Sequence, residues 1–421
     1  MMLWKAKHPE YPFWAIFLIV APVFLNLFAH AAPVKEIAVS RSAVTERPLD
    51  AETFDALFRY VQIKLSQGYQ VGIEKRAKDE NANDYAWLYT GSKTRYAYGS
   101  RYTNPKVQFG SISLLGAIRS GGQGSVYNAI LDRFISPVQL SDSNGVDESC
   151  TEQIDDVIAK ITPGRDGYIG AKIMAYIDDD AHIPKVYANT LVSDSKSSLA
   201  VMEKLNEDGY VRWVQQHSRP VDRQEMMMDV TKGVMSALRK KVIHLDIKPQ
   251  NIMSKLSKYD PSVDDPKTWR SVTWKVIDWD IAIPMEFYEE TGHAYPPMVG
   301  TEGYMSPEMV AKKWTDWKEV QDVFGLAMTL LQFLRRTPVY MTAWKKLTKR
   351  SIKQKAKNTY NTRAQALQIL KSVYKPDLTP AGATEFWDFM ASALCGPQER
   401  VSLDDFYSGL SGLKYIPPFT G

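Results

Sequence analysis

The chain has 421 residues, 44% of them hydrophobic and 24% charged, which is the composition of an ordinary globular protein with room for two domains or lobes. The formal net charge of +4 is too small to indicate nucleic-acid binding, so we expect no nucleic-acid partner. The presence of only two cysteines, Cys150 and Cys395, excludes a disulfide framework.

The N-terminus has the pattern of a secretory signal peptide. Two lysines precede the apolar run FWAIFLIVAPVFLNLF at residues 13–28, which is shorter than the ~20 residues that span a bilayer. Ala29 and Ala31 then place small side chains where a signal peptidase requires them. We therefore predict a signal peptide at residues 1–31, entry into the secretory pathway and secretion, with membrane contact only through this segment. The alternative is an uncleaved signal anchor that keeps the chain on a membrane.

Three regions of different pattern follow. Residues 32–106 are predicted to form an N-terminal extension, with an amphipathic helix from Phe54 to Leu65 and a tyrosine-rich stretch after it. In residues 107–205 short β-type runs alternate with glycine, and in residues 206–413 the pattern is mainly helical. A small β-rich lobe followed by a large helical lobe gives an α+β fold class, with a cleft between the lobes.

A short polar pattern occurs in HLDIKPQN, residues 244–251. It holds a carboxylate, an ammonium group and an amide at intervals of two and three residues, directly after an amphipathic helix. Pro249 prevents that helix from continuing. A solvated turn at a helix end would explain this polarity, but it would not explain the motifs that follow.

Four further motifs occur in order along the chain. They are VIDWDIA at 276–282, GTEGYMSPE at 300–308, an aspartate near the start of the apolar helix in DWKEVQDVFGLAMTLLQFL, and ERVSLDDF at 399–406. With HLDIKPQN, this set resembles the eukaryotic-type protein kinase superfamily, whose catalytic loop is usually HRDLKPxN. The resemblance covers roughly residues 107–413 and implies a bilobal protein-kinase fold.

The resemblance implies that ATP and Mg²⁺ are used and that the γ-phosphate is transferred to a hydroxyl of a protein substrate. Asp246 would accept a hydrogen bond from that hydroxyl, and Lys248 would offset charge on the transferred group. Asn251 and Asp278 would be oxygen ligands of Mg²⁺. Structural roles are implied for five further residues: His244, Thr301, Glu308, Asp322 and Arg400.

Two features of the large lobe refine the resemblance. A lysine two residues after the catalytic aspartate, here Lys248, is typical of serine/threonine-directed members, and Thr301 can bridge to Asp246 and Lys248. The second feature is Glu308 with Arg400 as its implied partner. Small-molecule phosphotransferases share an HxDxxxxN pattern but not this pair.

The small lobe resembles the family less closely. RSGGQGSV, residues 119–126, is similar to a glycine-rich phosphate loop in which Gly121, Gly124 and Val126 fall in place. Arg119 stands where the family has its first glycine, and it could enter the site itself.

The hinge between the lobes is assigned to VMEKL, residues 201–205, because two β-type runs around DSK lead into it. By resemblance, Met202 would be the gatekeeper. The backbone of Glu203 and Leu205 would bind adenine.

The lysine that contacts the α- and β-phosphates is assigned to Lys160 in DDVIAKI, with Lys172 in IGAKIM as the competitor. Lys172 lies too close to the hinge strands to leave room for a helix after it. The family's glutamate partner of this lysine would fall near Gly170, where the chain has no glutamate. Asp166 or an acid from the run at 178–180 could substitute, and Lys172 could also enter the site.

Two substitutions alter the large lobe. Leu245 replaces the arginine that receives a phosphorylated activation segment, so we predict activity that does not depend on such phosphorylation. Asp280 replaces the glycine after Asp278 and Trp279, which removes conformational freedom and adds a carboxylate near the metal.

Two functions are compatible with these motifs. The first is an ATP- and Mg²⁺-dependent serine/threonine protein kinase, favoured by the complete set of Asp246, Lys248, Asn251 and Asp278. The alternative is a pseudokinase that acts as a nucleotide-binding scaffold or allosteric partner. The missing helix glutamate, together with Arg119 and Asp280 in place of glycines, favours this alternative.

Overall fold

The structure is a computed structural model that describes residues 44–45, 50–65, 89–90, 93–98, 108–121, 124–135, 151–191, 197–208, 220–256, 272–334, 338–353, 362–374, 383–414 and 416. The predicted signal peptide at residues 1–31 lies outside these residues, as do most of the predicted extension and the tip of the glycine-rich hairpin. The chain divides into two compact units, Met1–Val44 and Thr45–Gly421, and the second unit contains both lobes of the fold.

The small lobe is built on an antiparallel sheet of seven strands, in the spatial order β2-β3-β4-β5-β6-β8-β7. The strands of this part of the chain are β1 (Val44–Thr45), which lies outside that sheet, β2 (Tyr89–Thr90), β3 (Lys93–Tyr98), β4 (Gln108–Gly121), β5 (Gly124–Ile135), β6 (Thr151–Pro163), β7 (Val186–Leu191) and β8 (Ser197–Glu203). Side chains alternate between the two faces of a sheet. One face carries its own apolar cluster, formed by Ile112, Ala129, Leu131, Val157, Ala159, Leu199 and Val201. The other face packs on the main core of the molecule through Ile158, Ala200 and Met202.

One helix of the small lobe, α2 (Asp166–Ile177), follows β6 and is buried along most of its length. The amphipathic helix predicted in the extension is present as α1 (Ala51–Ile63). It begins at Asp50, whose carboxylate accepts a hydrogen bond from the N–H of Thr53 at 2.8 Å. Its apolar face is fully buried at Leu57 and joins the main core.

Helix α1 packs directly on α2. The rings of Phe58 and Tyr168 lie 5.3 Å apart, and Arg165 Nη1 lies 2.7 Å from Asp55 Oδ1. Because Arg165 immediately precedes α2, this ion pair fixes the start of α2 against the extension.

The large lobe is mainly helical. Its helices are α3 (Pro220–Arg239), α4 (Met285–Thr291), α5 (Pro307–Val310), α6 (Gln321–Leu334), α7 (Pro338–Lys353), α8 (Arg363–Tyr374), α9 (Ala383–Leu394) and α10 (Leu403–Gly412), with 3₁₀ turns at Pro249–Asn251 and Thr315–Val320. The apolar sequence of α6 predicts a buried helix, and its described side chains from Val323 to Phe333 are indeed buried in the core.

Short strands bring two of the sequence motifs side by side. They are β9 (Glu207–Asp208), β10 (Val242–Ile243), β11 (Ile252–Leu256), β12 (Val272–Val276), β13 (Ile283–Pro284) and β14 (Gly300–Thr301). The catalytic loop, residues 244–251, runs from β10 to β11, and the DWD loop, residues 277–282, runs from β12 to β13. Because β10 pairs with β13 and β11 pairs with β12, the two loops must lie next to each other.

The β-rich small lobe and helical large lobe confirm the predicted α+β, bilobal fold class. Among the helices that the structure describes, none combines the length and apolar character needed to cross a membrane.

Candidate active site

The centre of the candidate site is the carboxylate of Asp246 in the catalytic loop, whose side chain is only 4% exposed. Lys248 Nζ lies 2.5 Å from Asp246 Oδ2 and 2.9 Å from Thr301 Oγ1. The ammonium group therefore joins the catalytic loop to the start of GTEGYMSPE. This is the bridge that the sequence motifs predict for Thr301.

The second oxygen of Asp246, Oδ1, is buried and has no hydrogen-bond partner in the part of the chain that the structure describes. A buried carboxylate oxygen without a partner loses a substantial amount of solvation free energy. A donor that is not among the described residues, such as water or a substrate hydroxyl, would satisfy this oxygen.

Asn251 completes the surroundings of Asp246. Its amide nitrogen donates to the carbonyl oxygen of Asp246 at 2.9 Å and to Asp246 Oδ2 at 3.1 Å. Since the nitrogen is turned to Asp246, the amide oxygen is the atom left for a cation.

The backbone of the catalytic loop is held by a buried carboxylate on α6. Asp322 accepts hydrogen bonds from the N–H groups of His244 at 2.8 Å and Leu245 at 2.7 Å. Leu245 has a φ of +65°, a conformation that side chains rarely adopt, so these two bonds stabilise a strained backbone. A Cβ at Gly300 would lie 2.5 Å from the carbonyl oxygen of Leu245, so only glycine fits against this turn.

His244 links the catalytic loop to the DWD loop. Its Nε2 lies 3.0 Å from the carbonyl oxygen of Ile277, and its ring centroid lies 4.4 Å from that of Trp279. Trp279 is fully buried and donates through Nε1 to the carbonyl oxygen of Val276 at 3.1 Å. Anchoring of the indole fixes the residues on either side of it, Asp278 and Asp280.

Lys160 on β6 reaches both carboxylates of the DWD loop. Its Nζ lies 3.0 Å from Asp278 Oδ1 and 2.8 Å from Asp280 Oδ2. Burial lowers the pKa of Lys160, but the charges of Asp280 and Asp278 outweigh it and hold that pKa above its usual value. The Lys160 charge in turn holds the pKa of Asp278 below its usual value, against the effect of burial. Lys160 and Asp278 are therefore both ionised at neutral pH.

The competing lysine, Lys172, lies on α2. Its side chain is 5% exposed, and its Nζ lies 5.6 Å from the centroid of the Tyr168 ring. Burial lowers the pKa of Lys172 to about 8. The structure therefore brings Lys160 to the DWD loop and places Lys172 within the packing of α2.

The partner of Lys160 is not one of the substitutes named from the sequence. Asp166 lies in the first turn of α2, Asp179 lies 3.0 Å from His182 Nδ1, and Asp180 pairs with Lys185. The ion pairs of Lys160 are made with the DWD loop instead. The sequence signal was the replacement of glycine by Asp280, but nothing in the sequence shows that Asp280 lies against β6.

The register of the small-lobe sheet places the nucleotide-binding candidates together. Val126 on β5 pairs with Lys160, which pairs with Ala200 on β8, and Ile158 pairs with Met202. Paired residues share a face, so these side chains lie on one side of the sheet. It is the side that faces the DWD loop, since Lys160 contacts Asp278 and Asp280 there.

The glycine-rich hairpin is described up to Gly121 and from Gly124 onward, and these two residues pair with each other. Gly124 has a φ of +124°, and a Cβ there would lie 2.4 Å from the carbonyl oxygen of Ile161. Glycine is therefore required at position 124 by close packing on β6 as well as by backbone conformation. Arg119 pairs through its backbone with Val126, and its side chain lies outside the described part of the structure.

The hinge contains an ion pair that the motifs do not reveal. Lys275 Nζ lies 2.6 Å from Glu203 Oε2, although the Lys275 side chain is almost fully buried. The N–H of Glu203 donates to the carbonyl oxygen of Lys185 at 2.9 Å, and that of Lys204 donates to the carbonyl oxygen of Asp156 at 3.2 Å. The segment that leads to Leu205 is thus fixed by both its side chains and its backbone.

The end of GTEGYMSPE is anchored by Glu308 and Arg400, whose side chains are both fully buried. Arg400 Nη1 lies 2.5 Å from Glu308 Oε1 and Nη2 lies 3.2 Å from Oε2, so the contact is bidentate. Arg400 also donates to the carbonyl oxygen of Cys395, and Gln321 donates to Glu308. This network ties the segment after Thr301 to the C-terminal helices.

Comparison with known proteins agrees with this geometry. The family model described as protein kinase domain matches residues 171–408, which is more than half of the chain. A G-type lectin S-receptor-like serine/threonine-protein kinase of Arabidopsis thaliana is 23% identical over 228 residues, covering 52% of this chain and 22% of the relative. Mitogen-activated protein kinase kinase kinase 8 of Rattus norvegicus is 30% identical over 149 residues, covering 34% of this chain and 25% of the relative.

The chain thus spans a quarter or less of the length of these relatives. The family-model match nevertheless extends from α2 to α10 and includes the catalytic loop, the DWD loop, the Glu308–Arg400 pair and Asp322. The chain belongs to the protein kinase family.

Proposed function

We propose that the protein is an ATP- and Mg²⁺-dependent serine/threonine protein kinase that transfers the γ-phosphate of ATP to a hydroxyl of a protein substrate. The observation that carries the proposal concerns Oδ1 of Asp246, which has no hydrogen-bond partner among the described residues and lies beside the ammonium group of Lys248. Nucleotide binding alone does not require a buried, oriented carboxylate that can accept a hydrogen bond from a substrate hydroxyl, whereas phosphate transfer does.

In the proposed reaction the substrate hydroxyl donates a hydrogen bond to Asp246 Oδ1, which turns an oxygen lone pair toward the γ-phosphorus. A bond forms between that oxygen and phosphorus while the bond to the β–γ bridging oxygen breaks, and ADP leaves. The hydroxyl proton passes to the Asp246 carboxylate. Lys248 offsets negative charge on the transferred group, so the protein contributes mainly position and charge.

The residues present fit a Mg²⁺ site. Asp278 supplies an ionised carboxylate, and Asn251 supplies an amide oxygen turned away from Asp246, which are ligand types that Mg²⁺ prefers. When bound, the ion neutralises charge on the phosphates of ATP.

The nucleotide would bind on the inner face of the small-lobe sheet. Lys160 would contact the α- and β-phosphates, since its ammonium group already lies beside Asp278. Val126 would pack on adenine, and the backbone of Glu203 and Leu205 would bind its edge. The backbone at Gly121 and Gly124 would contact the phosphates.

Specificity for serine or threonine is proposed from the contact of Lys248 with Thr301. This contact places the ammonium group between the catalytic carboxylate and the segment that follows the DWD loop. We expect phosphate on serine or threonine of a peptide acceptor, and not on tyrosine at the same position.

The proposal is tested by transfer of radiolabelled phosphate from ATP–Mg²⁺ to a generic basic protein, with ATP affinity measured in parallel. Asp246→Asn should lower kcat by about 10²–10⁴-fold, because the amide keeps the shape but cannot accept the proton. ATP affinity should stay within about twofold, because Asp246 does not contact the nucleotide. The matched control is Asp404→Asn, the same change at an exposed position on α10, which should leave both quantities unchanged.

Transfer by Asp246→Asn at the wild-type rate would refute the mechanism. ATP binding by the wild type without any transfer would favour the pseudokinase alternative.

We also propose that the protein enters the secretory pathway and is secreted, with residues 1–31 removed. The support is the short apolar run at residues 13–28 and the Ala29/Ala31 spacing. N-terminal sequencing of protein from its native host should give a chain that starts near Ala32. An intact Met1 on membrane-embedded protein would instead establish a signal anchor.

A further inference from the structure

The starting observation is that two carboxylates of the DWD loop converge on Lys160. The helix of the small lobe offers no glutamate to this lysine, because α2 carries glycine at residue 170. Lys160 Nζ lies 2.8 Å from Asp280 Oδ2, slightly closer than its 3.0 Å contact with Asp278 Oδ1. Asp280 thus makes the contact that a helix residue makes elsewhere in the family.

The second observation is that Gly170 and Asp280 fit each other. A Cβ added at Gly170 would lie 2.5 Å from Asp280 Oδ1, 2.9 Å from Asp280 N and 3.0 Å from Asp280 Cα. No other amino acid could stand at position 170 while Asp280 keeps its place. The space that the first atoms of a helix side chain would fill is therefore occupied by the Asp280 residue itself.

The orientation of the Asp280 carboxylate argues against a role as a simple metal ligand. Oδ2 faces Lys160 on β6, and Oδ1 faces the backbone of α2 at Gly170. Both oxygens lie against small-lobe elements. Asp278, two residues earlier, is also paired with Lys160. It directly follows Ile277, whose carbonyl oxygen contacts the His244 ring, so Asp278 lies beside the catalytic loop.

We propose that Asp280 is the positioning residue that orients Lys160 for the nucleotide phosphates, in place of a glutamate on α2. The inference rests on the proposed kinase function and specifies how its phosphate-contacting lysine is held. Since Asp280 and Asp278 belong to one loop, the lysine is oriented by the loop that carries the metal ligand. Helix α2 contributes because Gly170 has no side chain, which leaves the space beside Lys160 to Asp280.

The first test uses nucleotide-free protein and measures thermal unfolding midpoints of Lys160→Met, Asp280→Asn and the combined variant. Asp280→Asn is isosteric, so loss of packing is avoided. The combined variant should shift the midpoint less than the sum of the single shifts, by about 2 °C or more, because each single change already breaks the Lys160–Asp280 pair and that pair can be lost only once. The control is Asp155→Asn, at an exposed position on the same strand as Lys160, which should add to Lys160→Met without coupling.

The second test measures kcat and KM for ATP. Asp280→Asn and Asp280→Gly should each lower kcat/KM for ATP by about 10–100-fold, because Lys160 is no longer held in position. Asp280→Glu keeps a carboxylate at this position, whereas Asp280→Gln has the same size without the charge. Asp280→Glu should have a kcat/KM for ATP about tenfold higher than that of Asp280→Gln, a difference that a purely structural role of Asp280 would not produce.

A titration of Mg²⁺ separates positioning from metal binding. The Mg²⁺ concentration for half-maximal activity should change by less than about twofold in Asp280→Asn, whereas loss of a metal ligand would raise it about 10–100-fold. Recovery of Asp280→Asn by excess Mg²⁺ would overturn the inference. Additive midpoint shifts, wild-type activity of Asp280→Gly, or equal activity of Asp280→Glu and Asp280→Gln would each overturn it as well.

Failure of the proposed function gives a different result. A wild-type protein that neither binds ATP–Mg²⁺ nor transfers phosphate would refute the kinase proposal. The nucleotide-free midpoints would still decide whether Lys160 and Asp280 act as a pair.

Discussion

The two halves of the site are assembled in different ways. In the large-lobe half the candidate catalytic side chains come from one stretch of eight residues, and Asp322 holds that stretch by two backbone hydrogen bonds. In the small-lobe half Lys160, Gly170 and Asp280 come from a strand, a helix and a loop that are far apart in sequence. The first half is a local motif, and the second is a fit between distant residues.

This difference explains why the family pattern is retained in one half and altered in the other. A single change in the catalytic loop removes a group that no neighbour can replace. In the small-lobe half, the carboxylate that pairs with Lys160 can come from α2 or from the DWD loop. The condition is that the residue at the other position leaves space for it. The Asp280 carboxylate and the bare backbone of Gly170 meet this condition together.

The largest effect should come from the scaffold of the large-lobe half. Arg400→Met should lower the free energy of unfolding by about 3–5 kcal/mol, because it leaves the buried carboxylate of Glu308 without its counter-charge. Urea unfolding followed by circular dichroism measures this. The conservative control is Arg400→Lys, which keeps the charge but not the bidentate contact, and it should lose less. A loss below about 1 kcal/mol for Arg400→Met would contradict a dependence on this pair.

The next effect concerns Asp278, the residue shared by both halves. Asp278→Ala should weaken Mg²⁺-dependent ATP binding by about 10–100-fold, because it deletes the proposed metal ligand and one partner of Lys160. Titration calorimetry with and without Mg²⁺ measures this, with Asp404→Asn as the control. Affinity that fell equally in the absence of Mg²⁺ would assign Asp278 to the lysine alone.

A smaller effect, and one of opposite sign, is expected from Lys172. The pKa of this lysine is lowered to about 8 by burial, so its charge costs stability in the folded state. The cost is complete below pH 8, declines as the pH rises and vanishes above the unfolded pKa of about 10.4. Lys172→Met should therefore raise the free energy of unfolding by about 1–2 kcal/mol at pH 7 and by less at pH 10.

Urea unfolding of Lys172→Met and wild type at both pH values checks this sign. Phosphate transfer should remain in Lys172→Met and be lost in Lys160→Met, which tests the assignment of the phosphate-contacting lysine. Loss of transfer in Lys172→Met alone would reverse that assignment.

No effect is expected from dephosphorylation. Leu245 offers no charge to a phosphate on the segment after the DWD loop, and the Thr301 hydroxyl is already used by Lys248. Treatment with phosphatase, verified by mass spectrometry, should leave kcat unchanged. A large fall in kcat would show that a phosphate is held by some other cation.

The large-lobe half of the site could be predicted from the sequence because its geometry depends on the spacing of residues within one short segment. The distances of Asp246 to Lys248 and Asn251 follow from a loop of fixed length between two strands. Lys160 could be preferred over Lys172 for a similar reason, since a helix had to fit between the lysine and the hinge.

The rest depends on contacts between residues that are distant in sequence. The pairing of Asp280 with Lys160 requires knowing that β6 lies over the DWD loop, and a single sequence carries no such distance. The same holds for Lys275, which reaches Glu203 of the hinge from β12 and belongs to no motif. The α+β architecture was predictable because it depends on the succession of patterns along the chain.

Helix α1 has a consequence for where the folding unit begins. It lies before residue 107, outside the region covered by the kinase motifs, yet it contacts α2 through Phe58 and α4 through the Tyr60–Phe287 ring pair. A fully buried Leu57 contributes about 1.5–3 kcal/mol of stability. A chain trimmed to the motif boundaries would expose an apolar groove between α2 and α4. Recombinant versions should therefore include α1 with its cap Asp50, and versions that begin after α1 are expected to aggregate.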